Sequence, residues 1–145
     1  MFILTHISFA ILLSFWTGLP LLPLLVTSIL SDIDSPRTFI GKLFNPLSYW
    51  LHKNFGHRTI THSWIPLSIL GIFYLMARDN FSLSLLLGYS SYIFLDLLNT
   101  SGVMLFYPKK LYFTLTDLQI STFKKYDFLL CLAFILLSWW IFLMR

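Results

Sequence analysis

The sequence predicts an all-α integral membrane protein, a single membrane domain over residues 1–145, on three observations. Hydrophobic residues make up 57% of the chain and charged residues only 11%, against about a quarter charged in an ordinary soluble domain. The apolar residues are gathered into four long runs. Short polar segments separate those runs and carry almost all the ionisable groups. So little charge cannot cover a water-facing surface, and the apolar excess has to face lipid. Disordered, collagen-like and disulfide-framework classes are excluded, and the lone Cys131, inside an apolar run, has no internal partner.

The first run, from about Phe9 to Leu30, is interrupted by Gly18-Leu19-Pro20 and Pro23. Proline removes a helical hydrogen bond and kinks or ends the helix. The run is therefore either a kinked crossing or a re-entrant hairpin of two half-length helices. With no basic n-region and no small-residue cleavage site ahead of it, it is expected to be retained and not to be a signal peptide. Trp64–Ala77, Phe81–Leu98 and Phe128–Met144 are predicted as three further transmembrane helices, each approaching the roughly 20 residues a crossing needs once extended at its ends. The polar turn Arg78-Asp79-Asn80 joins the first two of these into a helical hairpin.

Two polar loops complete the chain. Ser31–Ser63 is expected to carry an interfacial helix around Phe39 to Leu51. Asn99–Asp127 contains Leu111-Tyr112-Phe113-Thr114-Leu115-Thr116, whose alternation predicts an extended piece at the interface. The first loop holds Arg37, Lys42, Lys53 and Arg58, and the second Lys109, Lys110, Lys124 and Lys125; only Arg78 and Arg145 lie on the other side. The positive-inside rule places both loops in the cytoplasm. The net charge is +4, and because the basic residues flank apolar runs they read as contacts with anionic headgroups. Membrane lipids are thus the expected partners, and no nucleic acid. Trp50 and Trp139-Trp140 read as interface anchors, and His52 as an interfacial histidine with ligation as the lesser alternative.

All six acidic residues are Asp. Asp32 and Asp34, in Ser-Asp-Ile-Asp-Ser-Pro, follow the first run; His57 and His62 precede the second; Asp96 lies near the end of the third. The ends of a helical hairpin share one membrane face, so three sequence-distant clusters converge there. Imidazole and carboxylate together suit zinc, iron or manganese, and a bridging Asp can hold two ions about 3.5–4 Å apart. An acid inside an apolar helix is expensive, and so is usually partnered. The competing reading of single residues is that Asp32 or Asp34 caps the interfacial helix and that Asp96 pairs with Arg58. Convergence of the whole set favours a site.

These residues also carry a resemblance. Ser-Asp-Ile-Asp-Ser-Pro resembles the Pro-Asp-x-Asp signature of the YdjM-like family of bacterial and archaeal inner-membrane proteins, described as membrane-bound metal-dependent hydrolases. His57-Arg58-Thr59-Ile60-Thr61-His62-Ser63 matches that family's His-Arg-x-x-Thr-His-Ser, Thr5-His6 matches its N-terminal Thr-His, and Gly88 to Pro108 is similar to its last motif. The family is in turn similar to zinc-dependent phospholipase C. The resemblance implies a ligand set of His6, Asp32, Asp34, His57, His62 and Asp96 for a divalent metal, zinc first and manganese or iron next. It also implies direct chemical roles for Asp34 and Arg58, with Arg58 available to a substrate phosphate, and Tyr92 is expected to act beside them. His6 can join the set only if the first run is the hairpin.

Ser31 stands where the family has proline, Asn99 where it has threonine, and Tyr92 where it has a histidine four residues before Asp96. Tyr92 could ligate as phenolate, hydrogen-bond a water, or mark a lost metal. The expected function is a metal-dependent hydrolase at the headgroup level of the inner membrane, acting on a phosphodiester or phosphate ester of a lipid or lipid-linked substrate. The alternative is a non-catalytic scaffold or regulatory protein with a structural or degenerate metal site.

Overall fold

The computed structural model describes residues 3–98, 102–109, 111–115 and 124–144, with nothing described of the side chains of Lys124 and Lys125. Among them are seven α-helices: α1 (Ile3–Thr17), α2 (Leu21–Leu30), α3 (Phe39–Leu43), α4 (Asn45–Phe55), α5 (Trp64–Ala77), α6 (Asn80–Leu97) and α7 (Lys124–Met144). Short 3-10 turns lie at Ser31–Asp34 and Ile60–His62. The all-helical class holds: among the described residues the only extended pairing is the isolated antiparallel bridge Val103–Phe113.

The first apolar run is two helices folded on each other. Gly18 takes φ 74°, a left-handed conformation that glycine adopts without a Cβ clash. Its N–H closes α1 on the Ser14 carbonyl at 2.8 Å. Pro20 then precedes the first turn of α2, where helical N–H groups have no intrahelical acceptor anyway. The helix α1 packs along α2 and α7, and α2 packs along α6. Of the two alternatives the sequence leaves, the structure has the hairpin, so the start of α1 and the end of α2 reach the same side.

The seam between α2 and α6 depends on Gly88, where a Cβ would stand 2.3 Å from Thr27 Oγ1 and 2.5 Å from the Leu24 carbonyl. Thr27 bonds back to the Pro23 carbonyl at 2.9 Å, so it sits in the seam without needing a partner across it. Close approach of small and self-satisfied polar residues is how helices associate where hydrophobic burial gives no drive. The α5–α6 hairpin turns as expected: Arg78 is left-handed at φ 50°, and the Asp79 carboxylate caps α6 by accepting from the Ser82 N–H at 2.7 Å.

Burial is inverted relative to a soluble protein. Ser28, Asp34, His62, Ser84 and Asp96 are buried, while Leu22, Ile69, Met76, Phe128, Trp139 and Leu143 are exposed. None of the residues of α5 is buried. In α7 the stretch Tyr126–Met144 is long and apolar enough to cross a membrane, and 11% of it is buried inside the protein. Among the described residues it is the one of the three expected crossings that is long and apolar enough to span. The 14 residues of α5 reach about 21 Å against the about 30 Å of a hydrocarbon core. The helix α6 has 18 residues but carries four serines and Asp96.

Two loop expectations are refined. The interfacial helix is broken at Phe44 into α3 and α4. Its cap is Thr38, whose hydroxyl accepts from the Gly41 N–H at 3.1 Å, so neither Asp32 nor Asp34 has that role. In the second loop Val103 and Phe113 exchange both backbone hydrogen bonds at 2.9 Å, and Leu111, Tyr112 and Leu115 are exposed beside them. Asn99, Lys110, Thr116, Asp117 and Arg145 lie outside the described residues.

Candidate functional site, a buried histidine–aspartate cluster

Four elements deliver the polar residues to one place. The first turn of α1 brings His6, and the 3-10 turn that continues α2 brings Asp32 and Asp34. The segment ahead of α5 brings His57, Arg58 and His62. The end of α6 brings Tyr89, Tyr92 and Asp96, whose spacings of three and four residues put them on one helix face.

Asp34 is fully buried. Its Oδ1 accepts from His57 Nδ1 at 2.7 Å. Its Oδ2 accepts from the Arg58 backbone N–H at 2.8 Å and from the Thr61 hydroxyl, with His62 Nδ1 at 3.4 Å. Arg58 reaches it in a left-handed backbone conformation, φ 59°, a strain of about 1–3 kcal/mol that surrounding contacts must offset. That conformation lets one residue serve two acids, since its guanidinium donates to Asp96 at 3.3 Å.

His62 joins the two halves of the cluster. It is fully buried, and its Nε2 lies 3.1 Å from Asp96 Oδ2. Burial works against a charged imidazole, but hydrogen bonds to Asp34 and Asp96 and their negative charge outweigh it and raise the pKa of His62 to about 9. His62 is therefore an imidazolium at neutral pH. Burial likewise opposes the charge of Asp34, yet hydrogen bonds from His57 and His62 hold it well below the usual carboxylate range. Asp32 moves the other way: burial raises its pKa, against the hydrogen bond it accepts from Tyr92 and with help from the charge of Asp96.

On the far side, His6 is 1% exposed and neither ring nitrogen has a hydrogen-bond partner. Its Nε2 stands 3.8 Å from Asp96 Oδ1. Its ring stacks on Tyr92 with centroids 4.0 Å apart. The Tyr92 hydroxyl in turn donates to Asp32 Oδ1 at 2.6 Å.

His6, Asp32, Asp34, His57, His62 and Asp96 thus meet in one neighbourhood together with Arg58 and Tyr92. Among the described residues, however, no group of three or more His, Cys, Asp or Glu side chains stands ready around a common ion position. The side chains are hydrogen-bonded to one another through the lone pairs a metal would use. The donor set of imidazoles and carboxylates suits zinc, manganese or iron, and a buried imidazole with no partner is the kind of group that calls for an ion or water. The donor types thus suit a divalent metal, while the described side chains are not gathered around one ion position. The Arg58–Asp96 pair of the competing reading is also present, within the same cluster.

Three contributors were not singled out from the sequence as site residues. Thr61 donates to Asp34, and the Tyr89 hydroxyl donates to the Thr61 carbonyl. His52, expected at the interface, places Nδ1 3.1 Å from the Asp34 carbonyl. Tyr89 had a legible signal, since it lies three and seven residues before Tyr92 and Asp96 on their helix face. His52 had none, because its approach depends on how α4 folds back over the 3-10 turn.

Comparison with known proteins agrees with the motifs. The chain is 31% identical over 123 residues to the inner membrane protein YdjM of Escherichia coli (strain K12), covering 80% of this chain. The same values hold for the inner membrane protein YdjM of Shigella flexneri. An uncharacterized protein, YvsG, of Bacillus subtilis (strain 168) is 32% identical over 87 residues, 57% of this chain and 53% of its own length. The chain spans 63% of the length of the two YdjM relatives. No solved structure matches. The family model described as YdjM inner membrane protein matches residues 1–145, and the chain belongs to that family of inner membrane proteins.

Proposed function

We propose that the protein is a membrane-embedded metal-dependent hydrolase acting on a phosphodiester or phosphate ester of a lipid or lipid-linked substrate. One observation carries the reading: the buried His6 imidazole, with both nitrogens unpartnered, faces Asp96 at the centre of a histidine–aspartate cluster. The residues that would hold the ion are His6, His62 and Asp96, with Asp32, Asp34 and His57 beside them. A divalent ion bound there, zinc first and manganese or iron next, supplies Lewis acidity toward a water and a phosphoryl oxygen.

The remaining roles belong to the chain itself. Arg58 has a buried Nε without a partner, and a guanidinium with a spare donor suits a phosphate oxygen. Asp32 takes up a proton more readily than an ordinary carboxylate, which suits it to accept one from an attacking water. Tyr92 orients Asp32 through its hydroxyl. Asp34 fixes His57, Arg58 and His62 in place. In the membrane, α1 and α2 form a re-entrant hairpin, α5 and α6 join α7 as crossings, and both polar loops face the cytoplasm.

One observation favours a second reading, a scaffold with a structural or degenerate metal site. Asp34 is saturated with donors, and Tyr92 engages Asp32, which leaves fewer lone pairs free. Metal analysis and activity separate the two. The purified chain is expected to hold stoichiometric metal, and His6→Phe to lose it while remaining folded. Hydrolysis across a panel of phospholipids and short-chain phosphodiesters, lost in His6→Phe, supports the enzyme. Metal without any hydrolysis supports the scaffold with a structural site, and wild-type protein without stoichiometric metal overturns the hydrolase and leaves the degenerate site.

A further inference from the structure

An apolar groove of about 460 Å³ runs beside the cluster, between α2, α4, α5 and the middle of α6. Its size falls in the range of small-molecule sites, about 300–1,000 Å³. Leu30 of α2, Leu47 and Leu51 of α4 and Ile69 of α5 form its walls, and Ile33 and Tyr89 lie at its inner end. Leu30, Leu47 and Ile69 are exposed at 37%, 47% and 63%, so the groove opens along the same lipid-facing surfaces that leave α5 without a buried residue.

Its inner end is joined to the polar cluster through short covalent and hydrogen-bonded links. Ile33 sits between Asp32 and Asp34. Tyr89 donates to the Thr61 carbonyl, and the Thr61 hydroxyl donates to Asp34. No charged residue lines the groove. An apolar groove joined through Tyr89 and Thr61 to a cluster whose Arg58 has a spare guanidinium donor has the chemistry of one kind of occupant: an amphiphile with an anionic head and one long apolar tail.

We propose that this groove holds a single alkyl chain of a phosphate-bearing lipid, with the phosphate delivered to Arg58 and the cluster. The inference rests on the hydrolase reading for its head group and names the tail site of that substrate. It also sets a selectivity rule. Chain length matters for binding through the groove, while short-chain phosphates reach the cluster without using it.

The test needs no turnover. The full chain is reconstituted in phosphatidylcholine vesicles with a dodecyl phosphate bearing a diazirine at its distal end, irradiated, and the labelled residues are mapped. Label is expected on α4 and α5 around Leu47, Leu51 and Ile69, competed by unlabelled dodecyl phosphate and not by inorganic phosphate. The Leu51→Trp/Ile69→Trp pair should cut labelling about tenfold, the effect of about 1.4 kcal/mol. Labelling spread along α7 without enrichment in the groove overturns the proposal, as does labelling untouched by the tryptophan pair. Disulfide dimers formed by Ile69→Cys but not by wild type, with labelling absent, would assign the groove to a second copy and also overturn it. Groove labelling in a protein without metal or hydrolysis leaves the tail site standing while the hydrolase reading fails; metal and short-chain hydrolysis without labelling is the reverse.

Discussion

At one end of the polar cluster Asp34 receives hydrogen bonds from His57, the Arg58 backbone and Thr61, and the loop around it is folded onto its two oxygens. At the other end His6 is equally buried, yet its ring has a stacking partner and no hydrogen bond. Both residues are ionisable and both are buried. The difference is what each acid or base has been given to do. A carboxylate with both oxygens engaged holds the loop in shape, and removing it leaves several donors stranded. An imidazole with no partner stabilises nothing by hydrogen bonding and is kept at a cost in desolvation.

Substitutions can break this contrast or sharpen it. The largest expected effect is Asp34→Ala, which strands the donors and the His62 imidazolium in a buried site. Loss of one partner from such a set costs about 3–5 kcal/mol, read as a large fall in the thermal unfolding midpoint in detergent. Next comes pH. His62 has its pKa raised in the folded state to about 9, so the stability it contributes is fully present below its unfolded value of about 6.5 and is lost as pH rises through about 9. The metal-free protein should therefore unfold more readily above pH about 9, and a stability profile flat across that window would contradict a charged His62. Because the same proton must leave for His62 to ligate, metal affinity measured by titration should rise with pH over that interval.

Thr61→Val removes one donor to Asp34 without changing the side chain's shape, and should cost about 1–2 kcal/mol in the same unfolding measurement. The smallest stability change belongs to His6→Phe. It keeps a ring against Tyr92 and loses no hydrogen bond, so the metal-free protein should move by less than about 1 kcal/mol, while metal content measured on the purified protein falls. A large destabilisation by His6→Phe would mean that His6 has a structural role after all, and the contrast between the two ends would collapse.

The cluster was legible in the sequence to an unusual depth because hairpin topology constrains it. Asp96 closes one arm of a hairpin whose other arm opens after His62, and neither residue can move far from the other. His6 is different: nothing local places it, and only the packing of α1 against α2 and α6 brings it to Asp96. Of the three crossings expected, length and composition single out α7 among the described residues. Apolar composition shows that a helix avoids water but not whether it meets lipid along its whole length, and α5 at 14 residues falls short. The cap that the competing reading gave to Asp32 or Asp34 is Thr38, because the carboxylates turn inward, where buried donors compete for them.

By itself the sequence determined the all-helical class, the apolar surface and the approach of Asp96 to His62, since composition and hairpin connectivity leave those two residues few other places. Only the tertiary structure decided how the polar residues of the cluster divide the work. Hydrogen-bond geometry is set by side-chain directions across four separate elements, and a one-dimensional pattern holds no record of which lone pair meets which donor. That geometry made Asp34 the anchor, His62 the bridge and His6 the open position.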